Sequence, residues 1–356
     1  MAKVSQQLIA DQLNICRTTV SRCFSNRAKI NPETRAKVLE LAAQLGYRYT
    51  PQRTRKGKRV NRATEIGVLI ASSQEMIELP FPSQYLLKGV SERAASLDLS
   101  LDVRYVDPAE LDVLVDTNRT PKGLRRGSGA WDGAVLIFPF TPETVARLSS
   151  RLPTVSIAED YSDAGIDSID VDHHAGIQKV VTHLAELGHT RIGFVSWRYS
   201  VENPWVFRRF GAFVDSLYRH GLPFDPQLAL NVRKGQNIET ADLAAEVAKR
   251  SRGGATAWVC AADHQAYRLI ADLRKHAISV PEDCAITGFD GIAPPPGMPM
   301  LTSIKVPLEE MGASAVTRLL DRINNPSAHR RHNLVEGRIV QGHTTRPLPA
   351  YTVTSA

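Results

Sequence analysis

Little in this chain invites covalent or metal chemistry. Only four cysteines occur in 356 residues, Cys16, Cys23, Cys260 and Cys284, with no CxxC pair and no cysteine–histidine spacing suited to zinc. They read as reduced, mostly buried thiols of a cytosolic protein. Histidines do group, at His173-His174, His183 and His189 and again at His329 and His332, but no cysteine or carboxylate completes a ligand set at helical spacing. No metal or other cofactor is therefore expected. GxSxG, P-loop and GxGxxG motifs are all missing, which leaves catalysis without a candidate. No apolar run approaches the roughly twenty residues of a membrane span, and no export signal opens the sequence, so a cytoplasmic location is expected.

Acidic residues are missing from one stretch: none falls between Glu40 and Glu65. Residues 1–64 hold 14 Lys or Arg against 3 Asp or Glu, which leaves 30 basic and 34 acidic residues for the rest of a chain of net charge +7. The basic excess therefore belongs to a short leading module on a mildly acidic body. Duplex DNA rewards such a module by releasing its condensed counterions. An amphipathic membrane patch would want Trp or Phe on its apolar face, and there is none.

Two short helices are written into Ser5 to Phe24. Leu8, Ile9 and Leu13 make one apolar stripe; Val20, Cys23 and Phe24 make a second after a break at Asn14-Ile15, where Asn14 suits the left-handed geometry of a helix end. That pattern is a helix-turn-helix. With Val20, Cys23 and Phe24 inward, Arg17, Thr18, Ser21 and Arg22 face outward from the end that enters a major groove. Arginine forks match guanine O6 and N7, and a threonine methyl can touch a thymine methyl. A third helix runs from the Asn31 cap through Pro32 to a stop at Gly46, with Val38, Leu39, Ala42 and Leu45 as its stripe.

Beyond Glu65, short apolar runs alternate with helical patterns, which means parallel sheets covered by helices: an α/β chain in which two lobes follow the head. In the second lobe Arg208 stands near the start of a helix and Asp290 ends an apolar strand, the edge where α/β sheets hold ligands. These are the leading small-molecule contacts. Asp263 and His264 follow another strand end, and Ser72 follows the first. Trp205 offers either a stacking face for a sugar ring or core packing.

The head residues Ile9-Ala10, Thr19-Val20-Ser21-Arg22, Ile30-Asn31, Thr34-Arg35, Val38 and Gly46-Tyr47 resemble the head of the lactose-repressor family of bacterial transcription regulators. The body resembles the same family in order and spacing, through Asp172-His173-His174-Ala175-Gly176, Leu187-Gly188-His189, Arg208 with Gly211, Asp263, Val280-Pro281-Glu282-Asp283, Gly288-Phe289-Asp290 and Thr344-Thr345-Arg346-Pro347. The resemblance implies two periplasmic-binding-protein-like lobes, a cleft for an effector such as a sugar or related metabolite, and a homodimer reading a near-palindromic operator in double-stranded DNA, most simply as a repressor. The DNA-facing set then comprises Ser5, Gln7, Arg17, Thr18, Thr19, Ser21, Arg22, Asn31 and Thr34, with Arg53, Arg55, Lys56 and Lys58 from the linker. A two-lobed sugar-binding or sugar-processing protein would share the body but not the basic head.

Three departures from the family pattern matter. Leu13 and Asn14 replace a small residue and Gly, and Cys16 replaces a Ser. Lys58 stands where relatives carry a hinge leucine, and a lysine cannot wedge bases apart as an apolar side chain does. The expected organisation is a head at 1–49, a basic linker at 50–63 and a body at 64–350. Its first lobe is expected at about 64–161 plus 293–323, and its second at about 162–290 plus 330–350.

Overall fold

The computed structural model describes residues 5–24, 30–45, 47, 64–71, 82–106, 131–199, 203–233 and 235–348. Ser72, the stop at Gly46 and the linker run with Arg53, Arg55, Lys56 and Lys58 lie outside them.

Three helices make the head: α1 (Gln6–Gln12), α2 (Arg17–Phe24) and α3 (Pro32–Gln44). The Ser5 hydroxyl caps α1 by accepting the Leu8 N–H at 3.3 Å. The helix ends as the sequence suggests, with Asn14 at φ 51°. Its N–H reaches the Asp11 carbonyl and the Ile15 N–H the Ala10 carbonyl at 3.0 Å, so both orphan acceptors are satisfied and Ile15 turns into the angle between helices. Asn31 caps α3 through the Glu33 N–H at 2.9 Å. Ile9, Ala10, Val20, Cys23, Val38 and Ala42 form the head's own core.

In the first lobe, β1 (Glu65–Ala71), β2 (Ser100–Val106), β3 (Gly133–Ile137), β4 (Thr154–Ile157), β5 (Asp167–Val171) and β11 (His332–Val335) make one sheet in the order β11-β5-β4-β3-β1-β2. Helices α4 (Pro82–Ser96), α5 (Pro142–Ser149) and α10 (Leu308–Asn324) belong to it. The second lobe holds α6 (His173–Glu186), β6 (Ile192–Val195), α7 (Pro204–Arg219), β7 (Ala229–Leu230), α8 (Thr240–Arg252), β8 (Ala257–Cys260), α9 (Asp263–Leu273), β9 (Ala285–Asp290), β10 (Thr302–Lys305) and β12 (Arg338–Val340). Its sheet runs β12-β10-β9-β8-β6-β7, parallel except for β12 against β10.

The lobes divide the chain differently from the expected boundaries. β5 pairs with β4 and stays in the first lobe, so the chain passes to the second at Val171 rather than near 162. β10 pairs with β9, which puts residues 293–307 in the second lobe. β11, within the 330–350 expected in the second lobe, is an outer strand of the first. An alternation of strands and helices says what each piece is but not which sheet it joins. Charge decides one case. Asp167 of β5 is fully buried and is held by Arg318 at 3.2 Å, by Arg322 at 2.8 Å and by the Arg331 N–H at 2.6 Å, which ties β5 to α10 and to the approach of β11.

Candidate functional site

Two constellations stand out, one on the head and one in the second lobe. On the head, α2 buries Val20 and Cys23 and leaves Arg17, Thr18 and Arg22 exposed, with Thr19 and Ser21 partly covered. A period of 3.6 accounts for this, since residues 20, 23 and 24 fall on one side of the helix. Cys16, just before α2, lies 3.0 Å from the Thr18 hydroxyl and 2.9 Å from that of Thr19. These bonds favour the thiolate and bring the Cys16 thiol down to about 7. Gln7 is exposed and donates to Asp11 at 2.7 Å; Thr34 is half-buried. Ser5 and Asn31 carry out capping in addition to whatever they offer DNA.

In the second lobe Asp290 and Asp263 lie close together, and the cation that pairs with Asp290 is Arg209, the neighbour of the expected effector contact Arg208. Arg209 is 5% exposed; its Nη2 donates to Asp290 Oδ1 at 3.3 Å, its Nε to His173 Nδ1 at 3.1 Å and its Nη1 to the Ala261 carbonyl. The guanidinium lies 4.7 Å from the Trp205 ring and 3.7 Å from that of Phe289, a clamp on its apolar faces. Helix phase explains why Arg209 is the buried one. α7 begins at Pro204 and buries Val206, Arg209, Phe213 and Leu217, so Arg208 falls off the inward stripe and is half-buried beside it. The i, i+3, i+7 spacing of 206, 209 and 213 was the available signal; a lone arginine on an apolar stripe is easily passed over as solvent-facing.

Asp263 opens α9 and is wholly buried. Ser303 donates to its Oδ1 at 2.6 Å and the Ile292 N–H to its Oδ2 at 2.8 Å. Gly288 is required beside it, because a Cβ there would lie 2.0 Å from Asp263 Oδ1. Burial raises both carboxyls above the ordinary aspartate value; Arg209 opposes the shift at each, Ser303 also opposes it at Asp263, and Asp263 adds to it at Asp290. His264 is 4% exposed, with Tyr199 Oη at 3.3 Å from its Nε2 and the Trp197 ring at 5.0 Å. Burial, then Arg209, pushes its imidazole down to about 3, so it is neutral. Trp205 spends its N–H on Asn203 at 3.0 Å and packs on Arg209.

Two of the grouped histidines tie segments of the second lobe together. His183 pairs with Thr345 at 3.1 Å, and His189 with Thr256 at 3.0 Å and the Arg346 carbonyl at 3.2 Å, joining α6 and its following turn to the C-terminal segment and to the start of β8. Among the described residues no set of three potential ligands forms a metal site.

A helix-turn-helix head joined to two parallel-sheet lobes, the second carrying buried polar groups at its strand ends, defines a two-part regulator architecture. Residues 181–345 match the periplasmic binding protein-like domain family. The chain is 27% identical to the probable HTH-type transcriptional repressor ExuR of Bacillus subtilis over 89% of its length and 91% of that protein's. It is 25% identical to the HTH-type transcriptional repressor CytR of Escherichia coli over 96% of both. Among solved structures, a transcriptional regulator CelR–cellobiose complex aligns with TM-score 0.66 and 19% identity over 96% of this chain and 100% of that one. The lac repressor dimer bound to operator and the anti-inducer ONPF aligns with 0.63 and 20% over 97% and 100%. Over nearly its whole length the chain is thus similar to HTH-type transcriptional repressors, and its second lobe matches the periplasmic binding protein-like family.

Proposed function

We propose that this protein is a sequence-specific DNA-binding repressor, acting as a homodimer in the cytoplasm, whose operator affinity is set by a small molecule held at the carboxyl ends of the second lobe's strands. The observation that carries the reading is the exposed face of α2, where Arg17, Thr18 and Arg22 project from a basic head. It is not an enzyme. The relatives are named as repressors, and CelR was solved with cellobiose.

The effector is an uncharged, hydroxyl-rich molecule. Arg209 is committed to Asp290, His173 and Ala261, and both carboxylates have protein donors, so the buried charges here are already paired within the protein, which supports an uncharged ligand. The rings of Trp197 and Tyr199 near His264 supply the apolar surface that a sugar face stacks on. Arg53, Arg55, Lys56 and Lys58 add phosphate contacts through the linker, each worth about −0.9 in the log–log salt slope.

Operator selection from random duplexes, followed by titration, tests the reading. Arg22→Ala should cost about 1–3 kcal/mol on the selected site and relax one base pair, whereas Lys56→Ala should weaken all duplexes alike and flatten the salt slope by about one. Equal losses on selected and random DNA for Arg22→Ala, or no enriched sequence at all, would overturn it.

A further inference from the structure

The third helix of the head is buried on two sides. Val38 and Ala42 enter the head's core, while Ala36 and Leu39, 6% and 4% exposed, are buried without being part of it. A three-helix module standing alone would leave that second side in water. Here it is covered: α3 packs on α4 and on β2, the edge strand opposite β11 in the first lobe's sheet. At the junction the Tyr105 hydroxyl of β2 donates to Glu40 of α3 at 3.1 Å. Glu40 also accepts from Gln84, and Ser83 bonds the Tyr105 hydroxyl, so the first turn of α4 closes the contact. Burial raises both the Glu40 carboxyl and the Tyr105 phenol, because the pair is withdrawn from water.

The contact continues into the lobe. A Cβ at Gly89 of α4 would lie 1.8 Å from the Glu309 carbonyl oxygen, and one at Gly312 of α10 would lie 2.1 Å from that of Leu86, so the two helices touch backbone to backbone. Lys88 with Glu309 at 2.8 Å and Arg93 with Thr317 at 2.9 Å fix their register. α10 opens at Leu308, the residue at which the chain returns from the second lobe. Throughout, Arg17, Thr18 and Arg22 stay exposed, so nothing in this contact covers the reading face.

From this we infer that the α4–β2 face of the first lobe is a dock for the head's third helix, and that it orients the head for DNA directly, with Glu40 and Tyr105 as its positioning pair. The head then takes its pose from the lobe as well as from the linker, and a shift of α10 reaches it through α4. The consequence for operator binding rests on the proposed DNA reading; the dock itself does not.

The native thiols provide the probe, since Cys16 is exposed and Cys23, Cys260 and Cys284 are buried. A dye on Cys16 of the full chain reports head tumbling by time-resolved anisotropy without DNA. The wild type should tumble as one body. Tyr105→Phe should add a fast component and Tyr105→Ala a larger one, while Glu40→Gln, which keeps an acceptor, should not. Unlabelled Tyr105→Ala should lose about five- to tenfold in operator affinity and stay near wild type on random duplex, because a freed head must be ordered again at each half-site. A fast-tumbling head in the wild type, or a head that stays docked in Tyr105→Ala, overturns the inference. Circular dichroism separates release from unfolding, and the wild-type decay decides the question even if both Tyr105 variants unfold. If no duplex is bound by any variant, the DNA reading fails and the anisotropy still judges the dock.

Discussion

At the scale of single residues, the second lobe turns on Arg209. Its charge is balanced by Asp290, its edges are spent on His173 and Ala261, and its faces are clamped by Trp205 and Phe289. Removing it strands Asp290, 7% exposed, without its counter-charge, a change that costs on the order of 3–5 kcal/mol at buried pairs. Arg209→Ala should therefore lower the unfolding midpoint sharply as well as abolish ligand response. Arg208→Ala, off the inward stripe, should leave the midpoint within about 0.5 kcal/mol of wild type. Thermal denaturation of the two variants side by side checks this, and equal destabilisation would contradict the assignment of the buried cation. Leu39 makes a related point: as part of one stripe with Val38, Ala42 and Leu45 it looked like head core, yet it lies outside that core and is buried all the same.

At the scale of elements, α4 and α10 cross with their backbones in contact. Gly89 and Gly312 permit it, since each meets the other helix's backbone where a methyl group would stand. A carbonyl oxygen cannot swing aside as a flexible side chain does, so Gly89→Ala or Gly312→Ala must push the helices apart. The expected cost is about 1–3 kcal/mol or more for each, against a gain of about 1 kcal/mol for the same substitution in an open helix. Gly211, in α7 with open space around its Cβ position, is the matched control and should accept alanine. Urea denaturation of the three variants makes the comparison; loss at Gly211 equal to that at Gly89 would refute it.

At the scale of the whole molecule, a head that reads a few base pairs needs a second head. Two copies related by a twofold axis match two half-sites about one helical turn apart, which turns a weak contact into a specific one. Light scattering should give a two-chain mass at micromolar concentration, and titration of a near-palindromic duplex should saturate at two chains per operator. A one-chain mass with undiminished operator affinity would contradict that reading.

Much of this was legible beforehand because it is local. Helix periodicity, the Asn14 end, the Asn31 cap and the run of strands each depend on residues a few positions apart, and a basic head on an acidic body is a property of composition alone. The sequence by itself thus determined the helix-turn-helix, the α/β body and the class of partner. The tertiary structure decided what depends on distance: that β5 and β11 join the first sheet and β10 the second, that Arg209 and not its neighbour meets Asp290, and that α3 has a second buried face. Strand partners and buried ion pairs are chosen by contacts across scores of residues, and a one-residue change of helix phase, invisible in composition, reverses which side chain is inside.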